Sequence, residues 1–314
     1  IKQSNYDFYK LKKIFISTTS FAQFSKEPLE ILKSNGFNFE LNEYGRKLGK
    51  SDCLEIYSKY DGIVAGTEIF DKQVLDSAEN LKVISRVGVG LDNIDMEYAK
   101  ERGIKIYRSK TEPSLAVAEL VLGLIFDLTR KISSHNEEMK SGTWHKKMGS
   151  LLSGKTLGII GLGNIGKTLV KITHGLSLNI LAYDIIRDQQ FAEDNNIEYC
   201  DLEYLLRSSD IISIHSALTE KSQGLLSENE FDLMKTNTIL VNSSRGEIID
   251  EKALINAISN NIIGGVGLDV YQTEPYVGPL TDYDNVVLTP HIGSYAKEIR
   301  VAMELEAVQN LITA

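Results

Sequence analysis

The stretch TLGII (156–160) runs directly into Gly161-Leu162-Gly163-Asn164-Ile165-Gly166 and then into KTLVKITHGL (167–176). A strand-like apolar run, a glycine-rich turn and a helix-period segment in that order read as the opening of a dinucleotide-binding βαβ unit. The glycines have separate jobs: Gly161 allows the tight turn, Gly163 lets the backbone approach a pyrophosphate, and Gly166 lets helix and strand pack closely. Asn164 and Ile165 start the helix, whose unpaired N–H donors face an anion. An isolated glycine turn is the plain alternative. The strand before, the helix after and the acid Asp184, closing the next strand ILAYD (180–184), argue against it.

Asp184 is placed to accept hydrogen bonds from the adenine-side ribose hydroxyls and to repel a 2′-phosphate, which selects NAD over NADP. Arg187 lies three positions on and reads as a solvated surface charge.

Outward from this motif the same alternation continues. Strands are expected at 156–160, 180–183, 211–215, 239–242, 266–269 and 286–289, with helical segments between them. A similar series precedes it, with strands at 13–17, 37–41, 62–65, 81–85 and 104–107 and helices at 28–34, 71–78 and 96–102. Such alternation predicts two doubly wound parallel-sheet α/β domains, Rossmann or flavodoxin-like. Ser114–Lys140 reads as one or two connecting helices, and Tyr295–Ile312 as a closing helix that packs back on the first domain. The expected boundaries are residues 1–109 with 291–314 for one domain and 110–290 for the other, the second inserted in the first.

The chain has 314 residues, more than one core usually needs. Lys plus Arg number 34 and Asp plus Glu 43, a net charge of −9, so nucleic acid and anionic lipid are disfavoured partners and a small molecule is expected. The longest apolar run, Ala116–Phe126, is too short to span a membrane and contains Glu119. The start, IKQSNYDFYK, lacks a secretory pattern and opens at Ile1, which reads as a trimmed start of a cytoplasmic protein. Cys53 and Cys200 have no metal-type companions and read as reduced thiols, and no metal site is expected.

Of five histidines, His135, His145 and His174 read as solvated or packing residues, and His215 closes a strand where it could line a cofactor cleft. His291, in LTPHIGS, is the acid/base candidate, since it follows a strand and is trailed by Gly293. Glu274, in YQTEP, can orient the ring and stabilise its protonated form, and Arg245, in VNSSRG, can pair with a substrate carboxylate. Each has a bland reading: a turn histidine, a loop acid, a strand-end salt bridge. All three follow successive strands at the edge where open α/β sheets bind ligands.

The stretches SRVGVGLDNID, GIIGLGNIG, VNSSRGEIIDEKAL, GVGLDVYQTEP and LTPHIG together resemble the D-isomer-specific 2-hydroxyacid dehydrogenases, particularly the phosphoglycerate-dehydrogenase-like branch, from about Asp61 onward. The resemblance implies Arg245, Glu274 and His291 as a catalytic triad and Asp269 as a partner of the nicotinamide carboxamide. It also implies Val87, Gly88 and Val89, within the Arg86–Gly90 backbone, as contacts of the substrate carboxylate. His215, Ser216, Ser243 and Gly293 join the cofactor contacts on the same grounds, and Leu115–Trp144 matches the segment through which the family forms homodimers.

Several departures bear on the substrate. An arginine expected after the third strand is absent from Ala65-Gly66-Thr67-Glu68. RSKTEPSLAVAE (108–119) carries Pro113 in place of an asparagine and adds Arg108 and Lys110, and HSALT (215–219) has Ala217 in place of a proline. No regulatory domain is expected after the closing helix, nor serine feedback through one. The expectation is an NAD-dependent enzyme interconverting a D-2-hydroxy acid and its 2-oxo acid, with the phosphoglycerate pair one option. The alternative is a cofactor-sensing binding protein, since the resemblance extends to transcriptional corepressors with the same fold and triad.

Overall fold

The computed structural model describes residues 13–314, so the reading of the start as lacking a secretory pattern lies outside the described residues. The described residues form two compact units, 13–112 with 294–314 (unit 1) and 113–293 (unit 2).

Unit 1 is built from β1 (Lys13–Ile16), α1 (Glu27–Ser34), β2 (Asn38–Leu41), α2 (Lys50–Ile56), β3 (Gly62–Ala65), α3 (Lys72–Ser77), β4 (Val83–Arg86), α4 (Met96–Glu101) and β5 (Lys105–Arg108). All five strands are parallel in the order β2-β1-β3-β4-β5, a doubly wound arrangement. The central strands carry continuous apolar runs because helices cover both faces. Ile14, Ile16, Ile63, Val64 and Ile84 are fully buried. Asp71 and Asp95 cap α3 and α4 by accepting from the N–H groups of Val74 and Tyr98, each cap worth about 1 kcal/mol.

Unit 2 opens with α5 (Ser114–Arg130) and α6 (Ile132–Lys140). They are two helices rather than one because Lys131 takes a left-handed conformation, φ 56°, and Asp127 Oδ1 accepts the Ser133 N–H at the start of α6. Then come β6 (Thr156–Ile160), α7 (Asn164–Thr173), β7 (Asn179–Tyr183), α8 (Gln189–Asp194), β8 (Ile197–Tyr199), α9 (Leu202–Ser208), β9 (Ile211–Ile214) and α10 (Glu228–Leu233). β10 (Ile239–Asn242), α11 (Glu251–Ser259), β11 (Gly265–Leu268) and β12 (Val286–Leu288) complete the unit. Its seven strands are parallel in the order β12-β11-β10-β9-β6-β7-β8. The sequence reading has six strands here and misses β8, a three-residue edge strand too short to show a pattern.

The last helix, α12 (Lys297–Thr313), belongs to unit 1, where Met303, Ala307, Val308 and Leu311 are buried in the cluster of Ile14, Ile16 and Val83. The chain enters unit 2 at 113 and leaves it after 293, three residues later than expected at each point. His291 thus lies in unit 2 instead of opening the final segment of unit 1. The cause is local: Asp269, at the end of β11, accepts the N–H groups of Ile292 (2.7 Å) and Gly293 (2.8 Å) and ties this turn to the unit 2 sheet.

Candidate active site

The three expected triad residues follow three adjacent strands of unit 2: Arg245 follows β10, Glu274 follows β11 and His291 follows β12. His291 Nδ1 lies 3.0 Å from each carboxylate oxygen of Glu274. His291 is held in the left-handed region, φ 54°, a conformation costly for a non-glycine residue and maintained by the bonds around it. Those bonds come from Asp269, whose Oδ1 also accepts from the Thr289 hydroxyl at 2.6 Å, and from Tyr271, whose hydroxyl donates to the Thr289 carbonyl at 2.9 Å. Asp269 is buried and its pKa is raised by loss of solvent. The hydrogen bonds seen for its carboxylate, which the family resemblance assigns to the nicotinamide, fasten the His291–Gly293 turn.

Arg245 is positioned from behind by Asn242, a residue the sequence reading does not single out. Asn242 Nδ2 donates to the Arg245 carbonyl (2.8 Å), while its Oδ1 accepts from the Ser244 N–H and hydroxyl (3.0 and 2.8 Å). Arg245 Nη1 donates to the Ser244 carbonyl at 2.7 Å. Gly246 then packs backbone to backbone on Tyr271 and Gln272, where an added Cβ would stand 2.1 Å from the Tyr271 carbonyl carbon. The Arg245 loop therefore lies against the segment that leads to Glu274. The buried Asn at a strand end was the available signal for this support.

At the glycine loop, the structure separates the three glycines by their surroundings. Gly161 has φ +95° and would drive a Cβ to 2.6 Å from the Ser216 nitrogen, and Gly166 would bring one to 2.6 Å from the Gly161 carbonyl. Gly163, at the N-terminus of α7, meets nothing within 4 Å, so unit 2 itself has no packing need for glycine there. A bare backbone facing open space beside the N–H groups of Asn164 and Ile165 fits an anionic pyrophosphate. Asp184 accepts the Leu162 N–H (2.7 Å) and the Ile186 N–H (2.9 Å), bracing the loop while its carboxylate stays at the end of β7. Arg187 is exposed, as expected of a surface charge, and places its guanidinium 5.3 Å from the Tyr199 ring centroid.

Three polar groups expected among the cofactor contacts are buried without a partner: His215 Nδ1, Ser216 Oγ and Ser243 Oγ. Leaving such groups without partners costs free energy that a polar ligand bound there would recover. The His215 ring accepts or donates at Nε2 with Ser213 Oγ (2.8 Å), and burial pulls its pKa down to about 4, so it is neutral at pH 7. The other histidines sit apart from this cluster: His135 Nε2 accepts the Lys147 N–H at 3.0 Å, His145 lies 3.7 Å from Glu138, and His174 starts the turn after α7.

The Val87–Val89 segment belongs to unit 1 and follows β4. Arg86 Nε donates to Asn93 Oδ1 (3.1 Å) and its Nη1 to the Val87 carbonyl (3.3 Å). Ser109 donates its N–H to the Gly88 carbonyl (3.0 Å), and Arg108 Nη1 donates to the Val89 carbonyl (3.3 Å). Lys110 gives its backbone N–H to Glu306.

Residues 122–293 match the D-isomer specific 2-hydroxyacid dehydrogenase, NAD binding domain. The chain is 40% identical over 270 residues to a glyoxylate reductase of Thermococcus litoralis, covering 82% of each. It is 35% identical to a D-3-phosphoglycerate dehydrogenase of Archaeoglobus fulgidus over 92% of this chain, and spans 55% of that relative's length. The solved structure of Salmonella D-lactate dehydrogenase superposes with a TM-score of 0.78 at 28% identity, covering 96% of both chains. No helix among the described residues is long and apolar enough to cross a membrane. With more than half its length matched and its relatives aligned across most of the rest, the chain belongs to the D-isomer specific 2-hydroxyacid dehydrogenase family, and unit 2 carries that family's NAD-binding domain.

Proposed function

We propose that this protein is an NAD-dependent dehydrogenase that interconverts a D-2-hydroxy acid and its 2-oxo acid. The observation that carries the reading is the His291–Glu274 pair, 3.0 Å apart at the C-terminal ends of β11 and β12, one strand from the Arg245 loop. NAD, when bound, exchanges a hydride with carbon 2 of the substrate. Arg245 pairs with the substrate carboxylate and polarises the neighbouring carbonyl. In reduction His291, cationic beside Glu274, protonates the nascent alkoxide oxygen; in oxidation the neutral ring takes the hydroxyl proton. The corepressor-type alternative has no observation of its own in its favour.

Reduction of a panel of 2-oxo acids with NADH tests the reading; turnover of none of them counts against it. A homodimer through the Leu115–Trp144 segment belongs to the same proposal. Leu115, Ile132, Met139 and Trp144 there are exposed, and exposed apolar side chains gathered on one segment mark an association surface. Sedimentation at micromolar concentration is expected to give twice the chain mass; a single-chain mass counts against it.

A further inference from the structure

Tyr271, just past the end of β11, is bonded to both sides of the His291–Glu274 pair, and all the residues concerned belong to unit 2. On the histidine side its hydroxyl lies 2.9 Å from the Thr289 carbonyl, which also accepts the His291 N–H at 3.0 Å. One carbonyl oxygen thus joins the Tyr271 hydroxyl to the backbone of His291, the residue held at φ 54°. On the carboxylate side the Tyr271 N–H donates to Glu274 Oε1 at 3.4 Å. The backbone of Gly246, next to Arg245, packs on the Tyr271 carbonyl.

The tyrosine itself has little freedom. Its ring stacks on Tyr276, with centroids 4.7 Å apart and planes at 21°, and its hydroxyl is also 3.2 Å from the Leu268 carbonyl at the end of β11. A hydroxyl has one hydrogen to donate, and the Thr289 carbonyl is the nearer acceptor. Burial first, then the charges of Asp269 and Glu274, raise the Tyr271 pKa, so the group stays a protonated donor. Asp269 fastens the far side of the same turn through the Ile292 and Gly293 N–H groups. The charged groups that bear on the His291 ring are Glu274, at 3.0 Å, and Asp269, whose pKa burial raises and the His291 charge pulls back; Arg245 stands on the neighbouring loop.

We propose that Tyr271 is a positioning residue for the acid/base: bonding the Thr289 carbonyl with its hydroxyl and Glu274 with its N–H, it holds Nδ1 of His291 against the Glu274 carboxylate and keeps the ring protonated for reduction. The inference rests on the dehydrogenase reading above. Without the hydroxyl, the Thr289 carbonyl loses its tie to the segment after β11, and the strained turn is free to relax toward ordinary backbone angles. The ring then moves off the carboxylate. The imidazolium loses part of its counter-charge, and its proton leaves at lower pH.

Tyr271→Phe removes the hydroxyl and keeps the ring stack and the backbone N–H. Two readouts test it: NADH-dependent reduction of glyoxylate and hydroxypyruvate, and NMR titration of the His291 ring in histidine-labelled protein with NAD added. The absence of the signal in His291→Gln assigns it. In Tyr271→Phe kcat is expected to fall by roughly 5- to 50-fold, less than the ~10² that a misplacement of about 1 Å can cost, with KM within about twofold of the wild type. The ring should titrate lower by roughly 0.3 of a pH unit or more. The double variant Tyr271→Phe/Glu274→Gln should titrate like Glu274→Gln alone, because changes that act through one pair do not add. An unmoved ring titration, whatever happens to kcat or to the melting profile, overturns the proposal and leaves Tyr271 a packing residue. So does a shift that adds to that of Glu274→Gln. A wild type that reduces no 2-oxo acid contradicts the dehydrogenase reading instead, and the ring titration still decides on Tyr271.

Discussion

Both carboxylate oxygens of Glu274 lie 3.0 Å from Nδ1 of His291, which leaves Nε2 as the ring nitrogen able to face a substrate oxygen. This geometry supports the proposed role of His291 as an acid/base oriented by a carboxylate, and the consequences of that role are measurable.

His291→Gln is expected to lower kcat by roughly 10² to 10⁴, the usual share of a positioned acid/base, while NADH affinity stays close to that of the wild type. Stopped-flow cofactor binding beside steady-state turnover separates the two effects. Turnover like that of the wild type would remove His291 from the chemistry.

Glu274→Gln takes away the charge that favours a protonated ring. Reduction needs that proton, so the alkaline limb of its pH–rate profile is expected to move to lower pH. An unmoved limb would mean that Glu274 only shapes the loop.

Asp184→Ser is expected to weaken NAD binding and reduce the discrimination against NADP, since the carboxylate that would accept ribose hydroxyls and repel a 2′-phosphate is gone. Titration of both cofactors reads this. Because Asp184 also accepts the Leu162 N–H, part of the loss should fall on both cofactors alike.

Arg108 donates to the Val89 carbonyl, so its work is holding the loop after β4. Arg108→Ala is expected to raise KM for glyoxylate, pyruvate and 3-phosphohydroxypyruvate by similar factors. A rise confined to the phosphorylated substrate would instead make Arg108 a phosphate contact.

His215 supplies a prediction about stability. Its pKa falls from 6.5 unfolded to about 4 folded because burial disfavours the charged ring. Between these values the unfolded chain binds the extra proton, so the folded state loses stability as pH drops from 6.5 toward 4, by at most on the order of 3 kcal/mol. Thermal melts across that window should show a shallower pH slope for His215→Asn than for the wild type. Equal slopes would place the acid sensitivity elsewhere.

How much of this was legible in the residues follows from which signals are local. The glycine loop, Asp184 and the strand-end positions of Arg245, Glu274 and His291 are readable because each sits at a fixed offset from an apolar strand. β8 was not, since three edge residues carry no periodicity. The sequence reading left Ser114–Lys140 as one or two helices, and the break at Lys131 itself was not legible because a left-handed lysine has no sequence signature. The supporting bonds of Asn242 and Asp269, and the burial of Glu68 among Ser17, Tyr57 and Gly66, join residues far apart in the chain or act through backbone groups that sequence does not display. The chain's return to unit 1 after Gly293 likewise depends on the Asp269 bonds rather than on any composition change.

The central claim, a dehydrogenase whose proton passes through His291, is tested most directly by following NADH oxidation with glyoxylate, pyruvate and hydroxypyruvate in wild type and His291→Gln side by side. At least one of these acids should be reduced by the wild type to its D-2-hydroxy acid, and the same reaction should fall by roughly 10² or more in the variant. A wild type inert toward all three and toward 3-phosphohydroxypyruvate, or a variant as fast as the wild type, would contradict the account.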